Sequence, residues 1–153
     1  ESALRRTGVY LGHGTDDHGD ECLALLLYVL ALPLDTDPRM LDARLLPDEI
    51  DRFVTLLARR ANERVPVPYL TGQAWFCGLP FFVDERVLIP RSPMAELIEA
   101  GFQPWLAPER VARVLDLCTG SGCIAIACAH ALPDARVDAR CISYEAPAGC
   151  GRF

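Results

Sequence analysis

Apolar and polar positions divide the chain into three stretches of different period. Over residues 1–64 the spacing predicts helices. Asp16 and Asp17 introduce a segment, 20–32, that is apolar almost all round and is expected in the middle of a helical cluster, with Pro33 ending it. Asp37-Pro38 reads as a cap followed by proline at the first helical position and predicts a short helix to about residue 44. From 47 to about 64, Ile50, Phe53, Val54, Leu57 and Ala61 recur at three- and four-residue steps, one stripe facing a core. Asp48, Glu49 and Asp51 fall in the first turn of that helix and Arg59, Arg60 and Arg64 near its last, as the helix dipole favours.

Residues 65–92 change character. Val65-Pro66-Val67-Pro68 is expected to be a non-helical linker. Trp75-Phe76-Cys77 and Phe81-Phe82-Val83, on either side of Gly78-Leu79-Pro80, predict a β-hairpin packed by its aromatic residues. From residue 93 helix and strand alternate: a helix over 94–100, a buried strand at Arg113-Val114-Leu115-Asp116-Leu117, a turn at Gly120-Ser121-Gly122, a helix over 123–132 and a second strand over 136–142. That is a βαβ unit, the start of a doubly wound sheet. The fold class expected is thus α+β followed by α/β: a helical domain (1–64), a hairpin linker (65–92) and a partial Rossmann-like domain (93–153).

Composition narrows the partners. The net charge is −6, all fifteen basic residues are arginine, and these are scattered among acids rather than gathered in a patch, so no direct nucleic-acid binding is expected. The longest apolar run, 22–34, is too short to span a bilayer, and no membrane partner is expected. No secretion signal follows Glu1, and the absence of an initial methionine is read as residues missing in front. Seven cysteines, an odd number, mostly within apolar stretches, predict reduced and largely buried thiols in a cytoplasmic protein, with no metal site. His13 reads as a turn residue; His18 and His130 have no partner pattern.

Candidate chemistry sits in Val114-Leu115-Asp116-Leu117-Cys118-Thr119-Gly120-Ser121-Gly122. A strand ending in Gly-x-Gly and opening a helix leaves N–H groups bare of side chains, against which an adenosine-bearing cofactor can lie, and Ala125 is small enough for the helix to pack closely. Asp116, four residues before Gly120, can meet a cationic amino group on a methionine moiety; equally, it can merely cap the turn.

These stretches resemble the glutamine-amide methyltransferases that modify translation proteins. The resemblance runs from about residue 10 to about 139 and rests on Pro68-Tyr69-Leu70-Thr71-Gly72, on residues 76–84, on Val87-Leu88-Ile89-Pro90-Arg91 and on the turn from Asp116 to Gly122. It implies a class I methyltransferase domain, S-adenosylmethionine as cofactor, a protein substrate gripped by the helical domain, and cofactor contacts at Asp116, Thr119, Gly120, Ser121, Gly122 and Cys141. Arg91-Ser92-Pro93-Met94-Ala95-Glu96, Gly12-His13-Gly14-Thr15-Asp16 and Ala74-Trp75-Phe76-Cys77-Gly78 are closer to the branch that acts on a large-subunit ribosomal protein than to the release-factor branch.

Two departures stand against it. The family's second strand ends in Asp-Ile-Ser, where an acid binds the ribose hydroxyls; here Cys141-Ile142-Ser143 offers a thiol. Losing that charge-assisted bond costs about 1.5–3 kcal/mol, roughly tenfold to a hundredfold in affinity. The family's Asn-Pro-Pro-Tyr motif, which places the substrate amide, is absent, so no catalytic residue is assigned; the one asparagine, Asn62, precedes Glu63. The tail Ala146-Pro147-Ala148-Gly149-Cys150-Gly151 breaks the expected helix and reads as a C-terminal truncation, by a shifted frame or a corrupted gene end, with a natural short variant as the alternative. Such a chain is expected to be inactive in methyl transfer, to expose the strand at 114–117 and the apolar face of the helix over 123–132, and to retain at most a protein-binding helical module.

Overall fold

A computed structural model describes residues 2–12, 15 and 17–141, which form two compact units, Glu1–Thr71 and Gly72–Phe153. His13, Gly14, Asp16 and the tail from Ile142, and with it the expected helix break, lie outside the described residues.

The first unit is helical: α1 (Ser2–Thr7), α2 (His18–Val29), α3 (Pro47–Ala58) and α4 (Val67–Thr71), with a 3-10 turn at Pro38–Asp42 where a short helix was expected. Asp17 caps α2, its Oδ1 accepting from Gly19 N–H at 2.6 Å. α2 ends ahead of Pro33: Ala31 turns left-handed (φ 53°) and Leu32 N–H reaches back to the Leu27 carbonyl at 2.9 Å. Leu25, Leu27 and Val29 are buried, but Leu23 and Tyr28 face solvent, so the helix is covered on part of its circumference rather than all round. α3 opens with Glu49 accepting from Leu46 N–H at 2.7 Å. Its α-helical hydrogen bonding stops at Ala58 and gives way to a π-turn over Arg59–Glu63, closed by left-handed Arg64.

Phe53, Leu56 and Leu57 pack with Leu25, Val67 and Leu70, whereas Ile50 and Val54 of the expected stripe are exposed. Val54 points about 100° round the helix from Phe53, and Ile50 stands in the first turn. The supposed linker is also corrected, because Val67-Pro68 begins α4. Proline is tolerated in a first helical turn, where its missing N–H has no acceptor to lose, and Thr71 Oγ1 donates to the Val67 carbonyl at 3.1 Å.

In the second unit β1 (Gln73–Phe76) and β2 (Leu79–Phe82) pair antiparallel across Cys77-Gly78, both left-handed (φ 47° and 71°), as a two-residue hairpin turn requires. Ala74, Phe76 and Phe81 face the core; Trp75 and Phe82, expected to pack the hairpin, are exposed on its other face. α5 (Met94–Glu99) follows, then β3 (Arg113–Leu117), α6 (Cys123–Ala131) and β4 (Arg136–Arg140). β3 and β4 are parallel, with Asp116 opposite Ala139 and Leu117 opposite Arg140, as the βαβ expectation requires. Phe76, Phe81, Ile98, Cys123, Ala127 and Cys128 make the core. The apolar side of α6, expected to be bare, is therefore covered by the hairpin and α5; the outer face of β3 is the one that stays open, at Leu115 (58% exposed) and Leu117 (65%).

Candidate functional site

β3 delivers its alternate residues to opposite faces. Val114 and Asp116 point to the side where α6 packs, and Val114 joins the core. Asp116 is the last of these before the strand ends, half-buried at its carboxyl end. The chain then turns through left-handed Cys118 (φ 61°), Gly120 (φ 57°) and Gly122 (φ 80°). Glycine accepts that conformation without strain, whereas Cys118 adopts it at a cost, and such strain gathers at functional turns.

Thr119 ties this turn together. Its N–H donates to the Arg140 carbonyl of β4 at 3.1 Å, its carbonyl accepts from Gly122 N–H at 2.9 Å, and its Oγ1 donates to Asp116 Oδ2 at 2.6 Å. Gly122 is the N-cap of α6 and supplies no side-chain cap, so the first N–H groups of that helix lie at the turn. A Cβ on Gly120 would meet no atom closer than the Cys118 carbonyl oxygen, 4.0 Å away; the turn is open on that side.

All six residues expected to touch a cofactor are thus traceable. Asp116, Thr119, Gly120, Ser121 and Gly122 follow one another through the turn at the carboxyl end of β3. Cys141 is exposed directly after β4, one residue beyond the Arg140 carbonyl that holds Thr119. A carboxylate and a bare N–H turn stand at the end of β3, and among the described residues a thiol follows the end of β4. A cavity of about 270 Å³ elsewhere in this unit, lined by Cys77, Ile98, Glu99 and His130 among others, includes none of the six.

The thiols are less buried than expected: Cys123 and Cys128 are buried, Cys22 and Cys77 half-buried, Cys118 and Cys141 exposed, all of them free. Burial pushes the Cys123 and Cys128 thiols up, with the Asp116 charge adding to it, so both stay protonated. Sequence reasoning missed a buried ion pair in the helical unit. Arg60, 2% exposed, donates to both oxygens of Glu21 (5% exposed), at 2.8 and 2.7 Å, and to the Tyr10 carbonyl at 2.9 Å. The signal was present, since Arg60 lies two turns after Phe53 and Glu21 one turn before Leu25, each on the core-facing side. His18 Nε2 is buried with no hydrogen-bond partner among the described residues, and His130 is exposed.

Parallel strand, glycine turn, small-residue helix and second parallel strand define this half as an α/β unit with a polar turn at its strand ends. No family model matches the chain. It is 53% identical over 145 residues to the ribosomal protein uL3 glutamine methyltransferase of Xanthomonas campestris pv. campestris, covering 95% of this chain and 47% of that protein. Equivalent matches are the enzymes of the same name from Xylella fastidiosa (53%, 46% of its length) and Burkholderia pseudomallei (54%, 48% of its length). The resemblance read from the motifs thus extends over nearly the whole chain, which spans about half the length of the curated relatives it matches.

Proposed function

We propose that the chain is part of a methyltransferase that uses S-adenosylmethionine to methylate a side-chain amide of a glutamine in the large-subunit ribosomal protein uL3. The observation that supports this most is 53% identity across 95% of the chain to relatives of that name, with the Asp116–Gly122 turn lying inside the shared stretch. The layout proposed with it is a helical substrate-gripping domain (1–64), a connecting segment that holds α4 and the hairpin (65–92) and part of a class I methyltransferase domain (93–153), working in the cytoplasm.

When bound, the cofactor supplies an electrophilic methyl group on a sulfonium. Asp116 would hold the cationic amino group, and the first N–H groups of α6 would hold the methionine carboxylate. Gly120 and Gly122 keep side chains out of the way. An amide nitrogen is a weak nucleophile, so transfer depends on aiming it rather than on a base. The family's means of aiming, Asn-Pro-Pro-Tyr, is not in this sequence.

The 153 residues alone are therefore expected to bind S-adenosylhomocysteine weakly and to transfer no label from tritiated S-adenosylmethionine to uL3. Calorimetry on the chain and on Cys141→Asp tests the first point; the restored carboxylate should tighten binding roughly tenfold or more. No binding by either form would refute the cofactor reading. It would favour the alternative that the thiol at Cys141 suggests, a non-catalytic protein-binding module. Labelling of a release factor instead of uL3 would move the assignment to the other branch.

A further inference from the structure

We infer that Thr119 is a positioning residue that acts through Asp116, rather than a group that touches the cofactor. This rests on the cofactor reading above and assigns a role within the same site.

Thr119 is buried (7% exposed), and its hydroxyl proton is committed to Asp116 Oδ2 at 2.6 Å. Its two backbone groups are committed as well, one to Arg140 of β4 and one to Gly122 at the head of α6. The hydroxyl is thereby fixed to the frame formed by both strands and the helix. A carboxylate on a strand end is otherwise free to turn about its side-chain torsions. The short bond to Thr119 holds one oxygen and leaves Oδ1 to meet a cation arriving over the turn. Fixing the acceptor before binding removes an ordering cost that the ligand would otherwise bear. A serine keeps this bond, a valine of similar shape abolishes it, and neither alters the charge.

The test compares two ligands on the 153-residue chain by calorimetry. S-adenosylhomocysteine carries the amino group; 5′-methylthioadenosine is the same nucleoside without the amino acid. Thr119→Val should weaken the first about tenfold and leave the second within about twofold, while Thr119→Ser keeps both. In an Asp116→Ala background Thr119→Val should add nothing, because its route to the ligand is gone. Melting curves check that each variant is folded. If the valine variant is not, Thr119→Ala takes its place in the same comparison.

Equal weakening of both ligands, losses that multiply in the double variant, or a serine variant as poor as valine would each overturn the inference while leaving the cofactor reading intact. A wild-type chain that binds neither ligand would sink both.

Discussion

At the scale of single residues, the helical unit is constrained by an ion pair that lies on the core-facing side of two helices. Arg60 and Glu21 are both buried, and the guanidinium grips the carboxylate with two nitrogens while holding the Tyr10 carbonyl. Removing one partner strands the other charge out of water, which costs about 3–5 kcal/mol, whereas an apolar pair of matched volume recovers much of that. Arg60→Met should lower the urea midpoint sharply, and Arg60→Met with Glu21→Leu should restore a large part of it. Equal losses for the single and double variants would mean that the pair is not coupled. Sequence reading gave Arg60 a role at the helix end because charge near a C-terminus is the commoner pattern. Only the neighbouring helix, 39 residues away, supplies the partner.

At the scale of elements, most boundaries followed from local chemistry. The hairpin, α5, β3, α6 and β4 lie within a few residues of where apolar period, glycine and proline placed them. The misses have two causes, one local and one tertiary. Val67-Pro68 was read by proline's usual effect, yet a first turn has no use for the N–H that proline lacks. α6 was expected to be bare because its coverage by Phe76, Phe81 and Ile98 joins segments distant in sequence.

That coverage makes a chemical prediction. Burial raises the Cys123 and Cys128 thiols, so both should resist iodoacetamide at about pH 8 while exposed Cys118 and Cys141 react. A thiol whose folded pKa is raised stabilises the fold below the ordinary thiol range, and that contribution is lost as pH climbs through the raised value. The unfolding midpoint should accordingly fall on the alkaline side, and less so in Cys123→Ala. Uniform labelling of all the cysteines by peptide mass spectrometry would contradict the buried assignment.

At the scale of the molecule, the described residues leave one face of a parallel pair uncovered. Parallel strands are ordinarily packed on both sides, yet Leu115 and Leu117 are more than half exposed. Neighbouring apolar side chains of this kind promote association. Leu115→Thr with Leu117→Thr, which keeps strand propensity, should reduce light scattering and dye binding at high protein concentration. The urea midpoint should move by only about 0.5 kcal/mol in equivalent stability, as expected for surface positions. Scattering unchanged by the pair would place the association surface elsewhere. Among the described residues no helix is long and apolar enough to cross a membrane.

By itself the sequence determined the order of elements, the glycine turn with its strand-end acid and the thiol at the second strand end. These are local properties, written in spacing and residue type. Tertiary structure alone decided that Thr119 grips Asp116 from a turn tied to both strands, that Arg60 meets Glu21, and which apolar faces are covered. Each of those depends on side-chain direction or on segments brought together by folding, and neither is encoded in the period of one segment.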